Sequence, residues 1–250
     1  MPSLPPQPSD ASTLVLWMRT VAILLWVAAA TLLMGLLVIA LSLSAATAPA
    51  AQKVAQAWAR SILAVSGVRV RVAGRERLDP AAAYICMSNH QSNFDIPVLL
   101  GHLPVPFRWL AKAELFKIPI FGRAMRAAGY IPINRTDRPA AIASLRRAAA
   151  AVRGGVSVVI FPEGTRSPDG TLKPFKKGGF VMAIEAGVPI VPVVLRGTFD
   201  IMPKSRLLIR PRDVTMAIGA PIATTAYRID TKEALMDAVR NTLLRQLAAD

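Results

Sequence analysis

Apolar and polar positions divide the chain into two regimes. From Val21 to Leu43 nearly every residue is apolar, and positions 20 to 52 carry no formal charge. At about 1.5 Å per residue this run exceeds a hydrocarbon thickness of about 30 Å, so it predicts a membrane helix. A cleaved signal peptide competes with that reading, with Ala46-Thr47-Ala48 as a small-residue site. Against it, the apolar region is longer than roughly 15 residues and Arg19 is the only basic residue in front of it. Past the run, Val54, Trp58, Ile62 and Val65 recur at helical spacing, which fits a core-packing helix or an interfacial one. Residues 14 to 66 therefore read as an anchoring segment, either a single crossing or a helical hairpin entering one leaflet. Residues 1 to 13, Pro-rich from Pro2 to Pro8, read as a disordered tail.

From residue 67 to 250 the pattern changes to short apolar runs alternating with helical periodicity, which fits one domain. Strands are predicted at Val68 to Val72, Tyr84 to Met87, Tyr130 to Ile133, Val156 to Phe161 and Pro189 to Leu195. Helices are predicted at Pro139 to Val152, Phe175 to Ala186 and Thr231 to Leu247, with Gly154-Gly155 and Gly187 as stops. A further helix carries Ile96, Val98, Leu99 and Leu100, capped by Ser92 or Asn93. Such alternation argues for an α/β fold with a mainly parallel sheet and flanking crossover helices.

Charge and cysteine content narrow the function classes. The net charge of +15 suits nucleic acid, or anionic headgroups and phosphorylated substrates. No helix-turn-helix, zinc spacing or aromatic-basic RNA signature accompanies it, so a membrane partner is expected and a nucleic-acid partner is not. Lys and Arg are abundant after the apolar run and nearly absent before it. By the positive-inside rule the catalytic portion then faces the cytoplasm. The single cysteine, Cys86, excludes an internal disulfide and reads as strand packing.

Candidate chemistry concentrates in two segments. In Ser88-Asn89-His90-Gln91-Ser92-Asn93-Phe94-Asp95, an imidazole has a carboxylate five positions on. That spacing diverges by roughly 140° on a helix, so His90 is expected at a strand-to-helix elbow with Asp95 reaching back from about a turn into the helix. A carboxylate on one ring nitrogen fixes the tautomer and makes the other a general base. Asn89 is expected to hold the loop by side-chain to backbone bonds. The second segment is Phe161-Pro162-Glu163-Gly164-Thr165-Arg166-Ser167, beyond a strand's carboxyl end, where open α/β sheets bind ligands. Arg166 offers a fork to phosphate oxygens, Gly164 close backbone approach, and Thr165 a hydroxyl. Glu163, an anion, is expected to orient Arg166 or a substrate hydroxyl. Lys176 and Lys177 either contact phosphate or form a solvated helix start, and His102 reads as a loop residue. Together these segments place an activated hydroxyl beside an anion.

With His90 and Asp95 as its first block, the chain resembles the glycerolipid acyltransferases. Gly129-Tyr130-Ile131-Pro132-Ile133-Asn134-Arg135 resembles the second block, Phe161 to Ser167 the third, and Val188-Pro189-Ile190-Val191-Pro192-Val193 the fourth. Pro132 and Asn134 depart from the pattern, standing where an aromatic and an acidic residue are expected. The resemblance implies acyl transfer from a thioester to the free hydroxyl of a 1-acylglycerol 3-phosphate, giving phosphatidic acid. It implies His90 as base, no covalent enzyme intermediate, no metal or other cofactor, and acyl-CoA or acyl carrier protein as co-substrate. It adds Arg135 to the phosphate-binding set. Lys112 and Glu114 also look familial, with an exposed ion pair as the alternative. Another lysolipid acceptor, a lysophospholipid or an amino-acid lipid, would leave all four blocks unchanged. A non-enzymatic, membrane-tethered basic adaptor would need the charge and the anchor but not His90 and Asp95 together.

Overall fold

The computed structural model describes residues 10–43 and 47–249. A long helix, α1 (Asp10–Leu41), is followed by α2 (Thr47–Val65), which packs back along it. The helix begins inside the segment expected to be a tail, while Pro2 to Pro8 lie outside the described residues. Thr13–Leu41 is long and apolar enough to cross a membrane.

A seven-stranded sheet follows, in the order β1-β7-β6-β2-β5-β3-β4. Its strands are β1 (Val70–Ala73), β2 (Ile85–Ser88), β3 (Phe107–Lys112), β4 (Ile131–Ile133), β5 (Ser157–Ile160), β6 (Ile190–Arg196) and β7 (Val214–Ile218). Neighbours pair in parallel except β6 with β7, so the mainly parallel α/β expectation holds. The remaining helices are α3 (Asp95–His102), α4 (Phe121–Ala127), α5 (Arg138–Arg153), α6 (Gly178–Ala186), α7 (Thr198–Ile201) and α8 (Lys232–Ala248). β3, β7 and α4 were not foreseen in the apolar pattern. His102 closes α3 and is not a loop residue.

Two hydrophobic layers clamp the sheet. On one side, Ile23 of α1 and Ala59, Ile62 and Leu63 of α2 share a core with Val98, Leu99 and Leu100 of α3 and with Cys86, Val159 and Val193 of the sheet. On the other, α5, α6 and α8 cover Met87, Val158, Ile160 and Val194. α2 is thus a core-packing helix, and residues 14 to 66 share their core with the sheet.

α1 is fixed to the rest along much of its length. Near its start, Arg19 donates to the carbonyl of Ser66 (3.3 Å), and the Ile209 amide donates to Thr20 Oγ1 (3.1 Å). Toward its end, Gly35 admits α4: a Cβ there would lie 3.2 Å from Ile120 Cγ2 and 3.7 Å from Ala124 Cβ. Between the two helices, Trp26 donates to Ser61 (3.2 Å) and Trp58 to Thr31 (3.1 Å), so both indole N–H groups are satisfied without water.

Candidate active site

β2, β5, β3 and β4 lie side by side in that order and run the same way, so their carboxyl ends form one rim. Along it lie the His90 loop, the segment from Phe161 to Ser167, Lys112 and Arg135. With strands about 4.8 Å apart, the row spans roughly 14 Å.

His90 follows β2 outside any helix, as its spacing from Asp95 required. Asp95 is the first residue of α3, not a turn inside it, and Phe94 takes the cap position expected for Ser92 or Asn93. Ser92 works one step earlier, accepting the Phe94 amide at 3.1 Å. Asp95 is fully buried, and its Oδ2 accepts from His90 Nδ1 (2.7 Å), the Gln91 amide (2.7 Å) and the Ser92 amide (2.8 Å). The carboxylate requires the Nδ1–H tautomer, leaving Nε2 a free acceptor on a ring only 16 % exposed. Asn89 behaves as expected: its amide pairs with both backbone groups of Leu195, at 2.9 and 2.8 Å, tying the end of β2 to β6.

Glu163 has a different role from the one expected. Buried to 2 % exposure, it accepts the backbone amide of His90 with Oε1 (2.7 Å) and that of Lys173 with Oε2 (2.9 Å). The carboxylate is therefore an orienting group, but what it orients is the main chain carrying His90, since both oxygens are occupied by backbone donors. Burial pushes its carboxyl up; the Lys173 and His90 amides oppose the rise and the charge of Asp95 adds to it. A reciprocal bond, from the Ser167 amide to the His90 carbonyl (2.7 Å), completes the clamp.

The turn between these bonds is set by Gly164, whose φ of +75° disfavours a side chain. A Cβ there would also approach Lys176 Cγ at 3.3 Å, because the lysine stem lies over the turn. Arg135 crosses from the end of β4 to donate to the Gly164 carbonyl, and burial lowers its pKa, opposed by the charge of Glu114. Thr165 is exposed. Arg166 is half-buried and makes no hydrogen bond or ion pair among the described residues. Lys112 and Glu114 form an ion pair at 3.4 Å with both side chains at least half exposed, as the alternative reading had it. Lys177 pairs with Glu233 at 2.9 Å, while the Lys176 side chain has no ion pair among the described residues.

Sequence reasoning did not assign a role to the Phe161 ring. It stacks on His90, with centroids 3.8 Å apart and planes 9° from parallel, and Trp109 stacks against the same ring at 5.6 Å. The stack fixes the imidazole plane as Asp95 fixes its edge. Val159 and Phe161 share a sheet face with Phe107 and Trp109, as period-two alternation dictates, but nothing local in the sequence links that face to His90. Cys86, wholly buried with its thiol pushed up to about 12 by desolvation, is inert packing as expected.

A buried carboxylate–imidazole pair thus lies beside a cationic turn on the carboxyl rim of an α/β sheet. Residues 69–196 match the Acyltransferase family model, and the chain belongs to that family. It is 41 % identical over 173 residues to 1-acyl-sn-glycerol-3-phosphate acyltransferase BAT2, chloroplastic, of Brassica napus, covering 68 % of this chain and 49 % of that protein. It is 34 % identical over 189 residues to the alpha 1-acyl-sn-glycerol-3-phosphate acyltransferase of Mus musculus, covering 74 % and 66 %. The chain thus spans about half the length of the Brassica relative. The crystal structure of the 1-acyl-sn-glycerophosphate acyltransferase PlsC from Thermotoga maritima superposes with a TM-score of 0.80 at 27 % identity, covering 95 % of this chain and 99 % of that one.

Proposed function

We propose that the chain transfers an acyl group from a thioester, acyl-CoA or acyl carrier protein, to the free hydroxyl of a 1-acylglycerol 3-phosphate, forming phosphatidic acid. The observation that carries the reading is the Asp95–His90 pair with Nε2 left free. Nε2 takes the proton of the acceptor hydroxyl as its oxygen attacks the thioester carbon, and collapse of the tetrahedral intermediate expels the thiolate. Ser88 and Ser92 are bonded elsewhere, Ser88 Oγ to the Asn89 carbonyl (3.1 Å) and Ser92 Oγ to the Met202 carbonyl (2.8 Å). That favours a substrate hydroxyl as the nucleophile. The unpaired guanidinium of Arg166 suits the acceptor phosphate, with Lys176 and Arg135 around the same turn. Assaying the purified protein against a panel of lysolipids with both thioester carriers tests the reading. Turnover confined to a lysolipid without a phosphate monoester would overturn the acceptor while leaving the base in place.

The same reading places the enzyme on a membrane, with α1 lying obliquely in one leaflet and the sheet toward the cytoplasm. Its support is the packing of α4 along α1. α4 carries exposed Arg123 and Arg126, and a perpendicular α1 would take those charges into hydrocarbon at roughly 2.5 to 3.5 kcal/mol each.

A further inference from the structure

Between α7 and β7 the chain runs Pro203-Lys204-Ser205-Arg206-Leu207-Leu208-Ile209-Arg210-Pro211-Arg212. One end of this loop is tied to the site: Ser92, two residues from the base, donates its hydroxyl to the Met202 carbonyl (2.8 Å) and forms a backbone bridge with Pro203. The other end is tied to α1, because Ile209 is 1 % exposed and its amide bonds Thr20 at 3.1 Å. What lies between is turned outward. Lys204, Arg206, Arg210 and Arg212 are exposed, and none has an ion pair or side-chain hydrogen bond among the described residues. Asp213, the carboxylate at the loop's end, is already shared by Arg69 (3.4 Å) and Arg71 (3.7 Å).

Amid these unpaired cations Leu207 is 67 % exposed. A leucine held out among lysine and arginine gains nothing in water. At a bilayer surface the leucine enters the acyl boundary and the cations meet lipid phosphates. The stretch of α1 that holds the loop also exposes apolar side chains. Leu14, Met18 and Val21, on the part of α1 that holds the loop, are 62 %, 65 % and 51 % exposed. We propose that residues 204–212 form a second membrane contact, a docking loop for anionic phospholipid that inserts Leu207 and seats its four cations on headgroup phosphates beside the site. The proposal rests on the reading of α1 as a membrane anchor.

The test uses the full chain reconstituted in vesicles, with an environment-sensitive fluorophore on Leu207→Cys. Cys86 stays unlabelled, being buried with its thiol pushed up to about 12. The same label on Met18→Cys reports the anchor separately. On phosphatidylglycerol-containing vesicles both labels are expected to shift blue and to be quenched by lipid-borne quenchers. The Leu207 signal alone should weaken on phosphatidylcholine vesicles, in high salt, and in an Arg206→Ser/Arg210→Ser background. A lipid-embedded Met18 label with an aqueous Leu207 label overturns the docking loop and leaves the anchor standing. Two aqueous labels overturn the anchor reading and the loop with it. A Leu207 label that responds only to an added acidic carrier protein makes the patch a protein-docking site and overturns the lipid assignment.

Discussion

At His90 the proposed base depends on one carboxylate oxygen. Asp95 Oδ2 accepts the imidazole and two backbone amides at 2.7 to 2.8 Å, so it sets both the tautomer and the loop that carries the ring. His90→Ala removes the proton acceptor without disturbing the large apolar clusters. Turnover is expected to fall by about 10² to 10⁴-fold with the thermal transition nearly unchanged. Asp95→Asn should approach the same loss, because a carboxamide can present N–H to Nδ1 and reverse the tautomer. Stopped assays and melting curves on the purified variants check both. Arg166 makes a different demand. Arg166→Lys keeps the charge but loses the planar fork, so acceptor KM should rise by the equivalent of about 1.5 to 3 kcal/mol while donor KM moves less. Steady-state kinetics varying each substrate separate the two. If only donor KM changed, Arg166 would belong to the thioester side and Arg135 would hold the phosphate.

At the scale of elements, a buried carboxylate and the Ser167–His90 backbone bond tie together two loops that are far apart in sequence. Glu163→Gln replaces one acceptor oxygen with an NH₂ group facing a backbone N–H. A buried donor left unmatched costs about 1 to 3 kcal/mol, and kcat should fall more than KM rises, since one of the two amides that Glu163 ties together, His90 or Lys173, loses its acceptor. The outer end of the same segment has its own lock. Asp169 accepts from the Thr171 amide and from the Thr171 and Ser167 hydroxyls, which hold its carboxyl at about 2 against an ordinary 3.8. The folded pKa is the lower one, so the stabilisation is full above the unfolded value and is lost as pH falls toward the folded one. The gap in urea midpoint between wild type and Asp169→Asn should therefore be constant near neutrality and close between about pH 4 and pH 2, as denaturation series at stepped pH would show. How well these elements could be read beforehand depended on burial. β2, β5 and β6 are covered on both faces and appear as continuous apolar runs. β3 and β7 alternate buried with half-exposed positions, Phe107 and Trp109 against Arg108, and Val214 and Met216 against Thr215, so a search for unbroken runs passes over them. The pairing of β2 with β5 is legible nowhere locally, since α3, β3, α4, β4 and α5 intervene. For that reason His90 and Asp95 could be read from spacing alone, while the ring of Phe161 against His90 and the grip of Glu163 on its amide could not.

At the scale of the whole molecule, the two N-terminal helices and the α/β domain are one folded body. Hydropathy separated them at residue 66 because it measures composition along the chain, and the contacts joining them run between distant positions, Ile23 to the sheet-side core and Gly35 to Ile120. The smallest change that tests the joint is Thr20→Val. Thr20 is 1 % exposed, and its hydroxyl oxygen is the acceptor for the Ile209 amide. Valine is nearly isosteric, so packing is conserved, but it leaves that N–H buried with no acceptor, at about 1 to 3 kcal/mol. For a chain of this length each kcal/mol corresponds to roughly 2 to 4 °C in Tm. A drop of about 2 to 12 °C in the cooperative unfolding of the entire protein is therefore expected from a residue within the apolar helix. Thr20→Ser, which keeps the oxygen, should recover most of it. Melting curves followed by a sheet signal, with membrane recovery measured in parallel, decide the point. Unchanged melting of Thr20→Val would mean that α1 is only tethered to the catalytic domain and not folded into it.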